Sequence, residues 1–240
     1  MKYTKILIER EIKSVFNSWF IYLGYMMFFI FTGFYCWFSS YNVFLRAQVS
    51  MTPVFVVVNW VMFFMVPGLT MKSVADEKRK GILELILTKP VNIYEFVSAK
   101  FLALYIVAII PLVLTIPYLI TISSFGELDW GPVFLGYFTL ILICGVYVSI
   151  GIFSSSITRS PLISLLLTYG IFILFQNVFG LASEILNIKL FSEFFRYLSL
   201  SAHLDTMSKG ILDTRDLVYL ISIMWIFLSF SKYFLNKKRI

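Results

Sequence analysis

The chain has 240 residues, of which 60% are hydrophobic and 14% charged, and its mean hydropathy is +0.88. Soluble domains carry about 25% charged residues, so this composition excludes an ordinary soluble fold and defines an integral membrane protein. The 20 Lys and Arg outnumber the 13 Asp and Glu; in a membrane chain such an excess reports orientation, and no basic patch with stacking aromatics suggests nucleic acid.

Residues 1–19 read as an amphipathic interfacial helix. Ile8, Ile12, Val15 and Trp19 share one row, and Lys2, Lys5, Glu9 and Lys13 share another. A plain positive flank before a first span would look the same. Residues 20–38 and 53–70 form the first two apolar segments, each near the ~20 residues needed to cross a ~30 Å hydrocarbon core. Asn59 and Pro67 lie in the second.

Residues 71–90 are the one long polar break in the first half. The charges from Asp76 to Arg79 each cost about 2.5–3.5 kcal/mol at a bilayer centre, so the stretch leaves the membrane. Its second half is nonetheless apolar. Ile82, Leu85 and Ile86 fall at helical spacing, with Leu83 and Leu87 as a second row. This predicts a short helix outside the bilayer whose apolar face needs a partner.

Asn92 and Glu95 have capping-box spacing and open a third span, residues 93–121, with kinks expected at Pro111 and Pro117. The fourth span, 132–157, carries two small-xxx-small pairs, Gly145/Ser149 and Gly151/Ser155, which permit close helix approach. The fifth, 161–181, contains Gln176 and Asn177. Residues 182–216 predict short helices at the membrane surface or dipping into it, with Ser201 capping one that stops at Gly210, and Asp213 with Asp216 capping a sixth span over 217–235.

Charge sets the orientation. The N-terminal segment, residues 72–100, Arg159 and the C-terminus hold 15 of the 20 bases; Arg46, Lys189, Arg196, Lys209 and Arg215 lie on the other side. Both termini and the 71–90 stretch are therefore expected in the cytoplasm. The fold class is an all-α integral membrane protein with six transmembrane helices, and residues 1–240 are read as a single transmembrane domain.

No phosphate-binding GxxxxGK[ST] loop, GxSxG elbow or HExxH pair occurs, and neither Cys36, Cys144 nor His203 has metal-ligand spacing. No cofactor or metal is expected on this chain. The spans read as free of interior charge, which argues against an ion-coupled transporter. Asn59, Gln176 and Asn177 can line a translocation path or act as interhelical glue. The acids Glu184, Glu193, Asp205, Asp213 and Asp216 are explained by capping and solubility, and His203 by an interfacial position.

A chain with a polar hook and no energy source needs a motor elsewhere. Pro67-Gly68-Leu69-Thr70-Met71, then residues 75–91 from Ala75-Asp76-Glu77-Lys78 through Thr88-Lys89-Pro90-Val91, then Lys100-Phe101-Leu102-Ala103 resemble the permease subunits of type-two ABC exporters. The likeness is greatest to the gliding-motility-type branch, through Thr88-Lys89-Pro90-Val91, residues 151–158 and residues 208–216. Ile82 stands where that pattern usually has Thr, and Ser98-Ala99 precedes Lys100 where Gly is common.

The resemblance implies that residues 81–87 are a coupling helix docking on a cytoplasmic ATPase. Glu77, Lys78, Arg79, Gly81, Ile82, Leu83, Glu84, Ile86 and Leu87 would serve that contact, Glu84 as its carboxylate. Glu77 and Arg79 would pair with the N-terminal helix or the ATPase. It further implies two ATPase copies carrying ATP and Mg, a second permease chain (identical or homologous), and a membrane-anchored partner with an extracytoplasmic domain, in a bacterial inner membrane. Export of a substrate and mechanical transmission to such a partner are both compatible with this; a membrane-embedded enzyme lacks any catalytic constellation.

Overall fold

The computed structural model describes residues 2–38, 50–83, 92–124, 126–185 and 189–237; among them every regular element is a helix and no strand occurs. In chain order these are α1 (Lys2–Phe16), α2 (Trp19–Phe38), α3 (Thr52–Thr70), α4 (Ala75–Arg79), α5 (Ile93–Val113), α6 (Ile116–Ser123), α7 (Trp130–Ile157) and α8 (Pro161–Ile173). A π-turn (Leu174–Val178), α9 (Phe179–Ile185), α10 (Lys189–Leu198), α11 (Leu200–Met207) and α12 (Thr214–Asn236) follow. Among the described residues, six helical stretches are long and apolar enough to cross a membrane.

Local chemistry explains the breaks. Asn92 caps α5 by accepting the Tyr94 backbone N–H, and Asp129 and Asp213 cap α7 and α12 in the same way. The third apolar stretch breaks at Leu114–Thr115, and Pro117 falls in the first turn of α6, where a proline is tolerated because the first N–H groups of a helix have no partner within it. Pro161 likewise stands at the start of α8.

The 28-residue α7 is the axis of the bundle. It packs against α3, α5, α8, α11 and α12, and 67% of its apolar window is buried, against 22% for α2 and 17% for α12. Apolar side chains gain little by leaving lipid, so close packing must hold the axis in place. Two glycines supply it. A Cβ on Gly136 would come within 2.1 Å of the Phe55 ring, and one on Gly151 within 2.1 Å of Thr70 Oγ1, so α3 crosses α7 at two places where only glycine fits. Gly145 meets the Met224 sulfur of α12 in the same manner.

Several expectations change. Trp19 opens α2 and does not belong to the apolar row of α1, because Asn17 and Ser18 interrupt the helix. Ser199, not Ser201, occupies the cap position of α11, which ends at Met207 before Gly210 turns with φ 87°. Asp216 does not cap α12; it is buried and its Oδ1 lies 2.8 Å from Nδ1 of His203. His203 is therefore buried, with Asp216 as its partner. Nor are the spanning helices free of interior charge: Lys100, in α5, is 2% exposed.

Candidate functional site

The second spanning helix ends in a joint. After Thr70 the chain turns and enters α4, whose first N–H groups need partners, as at every helix start. α7 provides them. Ser155 Oγ accepts from the backbone N–H of Val74 at 3.0 Å and of Ala75 at 2.9 Å, and it donates to the Met71 carbonyl at 3.2 Å. One turn later Lys78 Nζ donates to the Ser156 carbonyl. The end of α7 thus caps α4 from outside its own sequence.

On its other side α4 is held by charge. Lys100 Nζ donates to Glu11 Oε1 at 3.0 Å and to the Ser73 carbonyl at 2.6 Å, and lies 3.1 Å from Glu77 Oε2 without directing a hydrogen bond at it. Arg10 joins the same carboxylates, 2.9 Å from Glu11 and 3.2 Å from Glu77. Arg79 and Lys80 turn instead to Asp76 within their own stretch, at 2.7 and 2.8 Å.

A buried lone ammonium would cost several kcal/mol, so Lys100 is tolerable here only because two carboxylates and a carbonyl surround it. Burial pushes the Glu11 carboxyl up, but Lys100 and Arg10 together outweigh it and hold the group below the usual range. α1, α4 and α5 are thereby tied to one another, and α4 to α7.

Gly81, with φ 71°, ends α4 in a left-handed conformation suited to a residue without a side chain. Ile82 beyond it is exposed, and Leu83 is buried. Glu84, Ile86 and Leu87 lie outside the described residues, and with them most of the predicted coupling helix.

The sequence model for the ABC-2 family transporter protein matches residues 68–234. The chain belongs to the ABC-2 transporter family. It is accordingly the membrane permease component of an ABC transporter, a multi-pass membrane protein that associates with an ABC ATPase. No curated protein matches the chain. In this ABC-2 permease the match opens at Gly68, one turn before the joint, and takes in Glu77, Lys100, Ser155 and Ser156; Arg10 and Glu11 lie outside it.

A second polar group sits within the permease's spanning helices. Tyr147 of α7, fully buried and stacked on Phe172 with centroids 4.3 Å apart, places its hydroxyl 3.1 Å from Asn59 Oδ1 and 3.0 Å from Gln176 Oε1. One hydroxyl has one proton to donate, so one amide must turn its NH2 towards it. The set joins the second, fourth and fifth spans. Asn177 is only half-buried and stands apart from it.

Of the predicted packing residues, Gly145 and Gly151 meet neighbouring helices, Ser149 bonds back to the Val146 carbonyl within α7, and Ser155 holds α4. The sequence offered no role for Glu11, Arg10 or Tyr147. A signal existed for the first: Glu11 lies three residues after Ile8 and four before Val15, a carboxylate inside an apolar row. Among the described residues no cluster of His, Cys, Asp and Glu could hold a metal ion.

Proposed function

We propose that this permease transmits ATP-driven motion through α4 and the segment that follows it. On this reading the stretch from Gly81 to Leu87 is a coupling helix docked on a cytoplasmic ATPase, both termini are cytoplasmic, and the working unit has two permease and two ATPase chains. ATP and Mg reside on the ATPases. The 15-to-5 distribution of bases supports the orientation, and Thr88-Lys89-Pro90-Val91 with residues 151–158 and 208–216 supports membership of the gliding-motility-type branch.

The observation that carries the proposal is the double anchoring of α4. Its N-terminus hangs on Ser155 and its acidic face on Lys100 and Arg10. A push on residues 81–87 therefore reaches α1, α5 and α7 together rather than bending a loop. Work is delivered only if these contacts differ in energy between two states of the complex.

One observation favours mechanical transmission to an extracytoplasmic partner over export. The intramembrane amides Asn59 and Gln176 are buried and each meets Tyr147 through one side-chain atom, so in this state they act as contacts between packed helices. In that version the outer segment from α10 to α11 would be the docking place.

Affinity purification of the tagged chain in mild detergent tests the coupling. An ATPase subunit should co-purify, and Glu84→Arg combined with Leu87→Asp should release it without loss of helicity. Retention of the ATPase by that variant would defeat the coupling-helix assignment. A vesicle transport assay on the intact complex then separates export from mechanical transmission.

A further inference from the structure

Two hollows meet on the face formed by α2 and α3. One, of about 380 Å³, opens on the α1 side, with Arg10, Ser14, Ser18, Lys72 and Lys80 among its walls. The other, of about 840 Å³, is an apolar groove between α2, α3 and α8, walled by Met27, Phe31, Trp60, Phe64 and Tyr169 among others. Phe20 and Gly68 belong to both, so the polar hollow adjoins the apolar one at these residues. The Phe20 ring lies so close over Gly68 that a Cβ there would come within 2.9 Å of it.

The polar end favours an anion. Its acids are engaged: Glu11 and Glu77 by Arg10 and Lys100, Asp76 by Arg79 and Lys80. Arg10, Lys72 and Lys80 line the hollow with three acids, and Arg79 and Lys100, outside its walls, pair with those same acids. Lys72 is exposed, and among the described residues it has no carboxylate partner; its ammonium stands 5.7 Å from the Phe20 ring centroid, at the junction of the two hollows. α2 begins at Trp19 beside the same wall, which adds the positive end of a 20-residue helix.

The apolar end is as large as pockets of about 300–1,000 Å³ that hold small ligands, and it opens on an exposed, predominantly apolar helix surface. A molecule filling both ends carries a negative head and a long hydrocarbon tail, joined at the level of Lys72.

We propose that the joined hollow binds one anionic glycerophospholipid from the leaflet on the α1 side. Its phosphate sits at Lys72, with the Ser14 and Ser18 hydroxyls in the same hollow, and an acyl chain lies along α2, α3 and α8. The lipid would touch α3 and the wall of the joint at once, so its presence bears on how α1 and α4 move together. This goes beyond the coupling proposal and does not depend on it.

The test uses the full chain, purified in detergent, stripped of lipid, and offered phosphatidylglycerol or phosphatidylcholine with identical acyl chains. Native mass spectrometry counts retained lipid. One phosphatidylglycerol should be retained in preference to phosphatidylcholine, and Lys72→Gln should lower its retention by about fivefold, the worth of one basic side chain near an anionic headgroup. Met27→Trp, which fills the groove from an exposed position, should lower retention of both lipids, whereas Lys209→Gln should change neither.

Salt provides a lever that needs no variant: raising it from about 0.1 to 1 M should release phosphatidylglycerol selectively. Equal retention of the two lipids, an unaltered Lys72→Gln, or insensitivity to salt overturns the proposal. So does full displacement by glycerol phosphate, which would make this a site for a soluble anion. Cross-linking between copies through Met27→Cys with lipid retention unchanged would assign the groove to a second permease chain and would equally overturn it.

Discussion

Lys100 Nζ and Glu11 Oε1 stand 3.0 Å apart although 89 positions separate them in the chain. The pair joins a helix that packs beside the spanning bundle to the first turns of a helix within it, and Glu77 brings α4 to the same ammonium. Removing one member of such a group costs more than removing all of it, because the remainder is left buried and uncompensated.

Lys100→Met should therefore destabilise the folded chain by about 3–5 kcal/mol, with Glu11 and Glu77 left facing each other. Adding Glu11→Gln and Glu77→Gln to it should restore most of the loss. Thermal unfolding in detergent, followed by circular dichroism, measures both. A harmless Lys100→Met would show that the ammonium does not hold the three helices together.

Acid acts on the same group through Glu11. Its carboxyl is held below the ordinary glutamate value of about 4.5 in the folded chain by Lys100 and Arg10. The stability it contributes is therefore fully present above about 4.5, the unfolded value, and is lost as pH falls through the lower folded value. Glu11→Gln should flatten this acid limb of the unfolding midpoint against pH. An acid limb of unchanged steepness would assign the loss to other carboxylates.

Ser155→Ala should remove the acceptor for two buried N–H groups, those of Val74 and Ala75. Each unpaired buried group costs about 1–3 kcal/mol. The loss should be local: hydrogen exchange should rise over residues 73–80 while that of α7 stays low. Equal protection in variant and parent would mean that water or another side chain replaces the serine.

Tyr147→Phe keeps the ring stacked on Phe172 and removes the hydroxyl between Asn59 and Gln176. Interhelical hydrogen bonds within membranes average about 0.6 kcal/mol and reach about 1.7, so a modest loss of stability is expected. If the amides are freed to solvate a substrate path, transport should rise while stability falls. A loss above about 3 kcal/mol would point to unpaired buried amides that find no new partner.

The apolar segments and the end of the second spanning helix near Thr70 were legible in the sequence because the underlying energies are large. A run of charges cannot lie in hydrocarbon, and about 20 apolar residues do little else than cross it. Asn92 and Asp213 were readable because caps act over two or three residues. The site was less legible. Its contacts join residues far apart, and nothing near Lys100 in the chain names Glu11 as its partner. Lys100 was visible only as part of a family pattern, without a role. His203 and Asp216 were each assigned a local explanation, yet they pair across 13 positions between two helices. The π-turn left no mark on the apolar periodicity of the fifth span at all.

That π-turn, Leu174–Val178, has a consequence for chain length. A π-turn accommodates in effect one surplus residue within an α-helix. Deleting one residue there would let the fifth helix run on as α, and everything beyond would be rephased by about 100°, the step of one residue at 3.6 per turn. Gln176 now reaches inward to Tyr147 with its side chain, while its carbonyl takes the Ser201 hydroxyl at 2.9 Å from α11. A shift of phase would break both links together. The segment carrying α11 is thus indexed to the interior of the bundle by a single inserted residue, and length changes at residues 174–178 should be far less tolerated than changes of side chain.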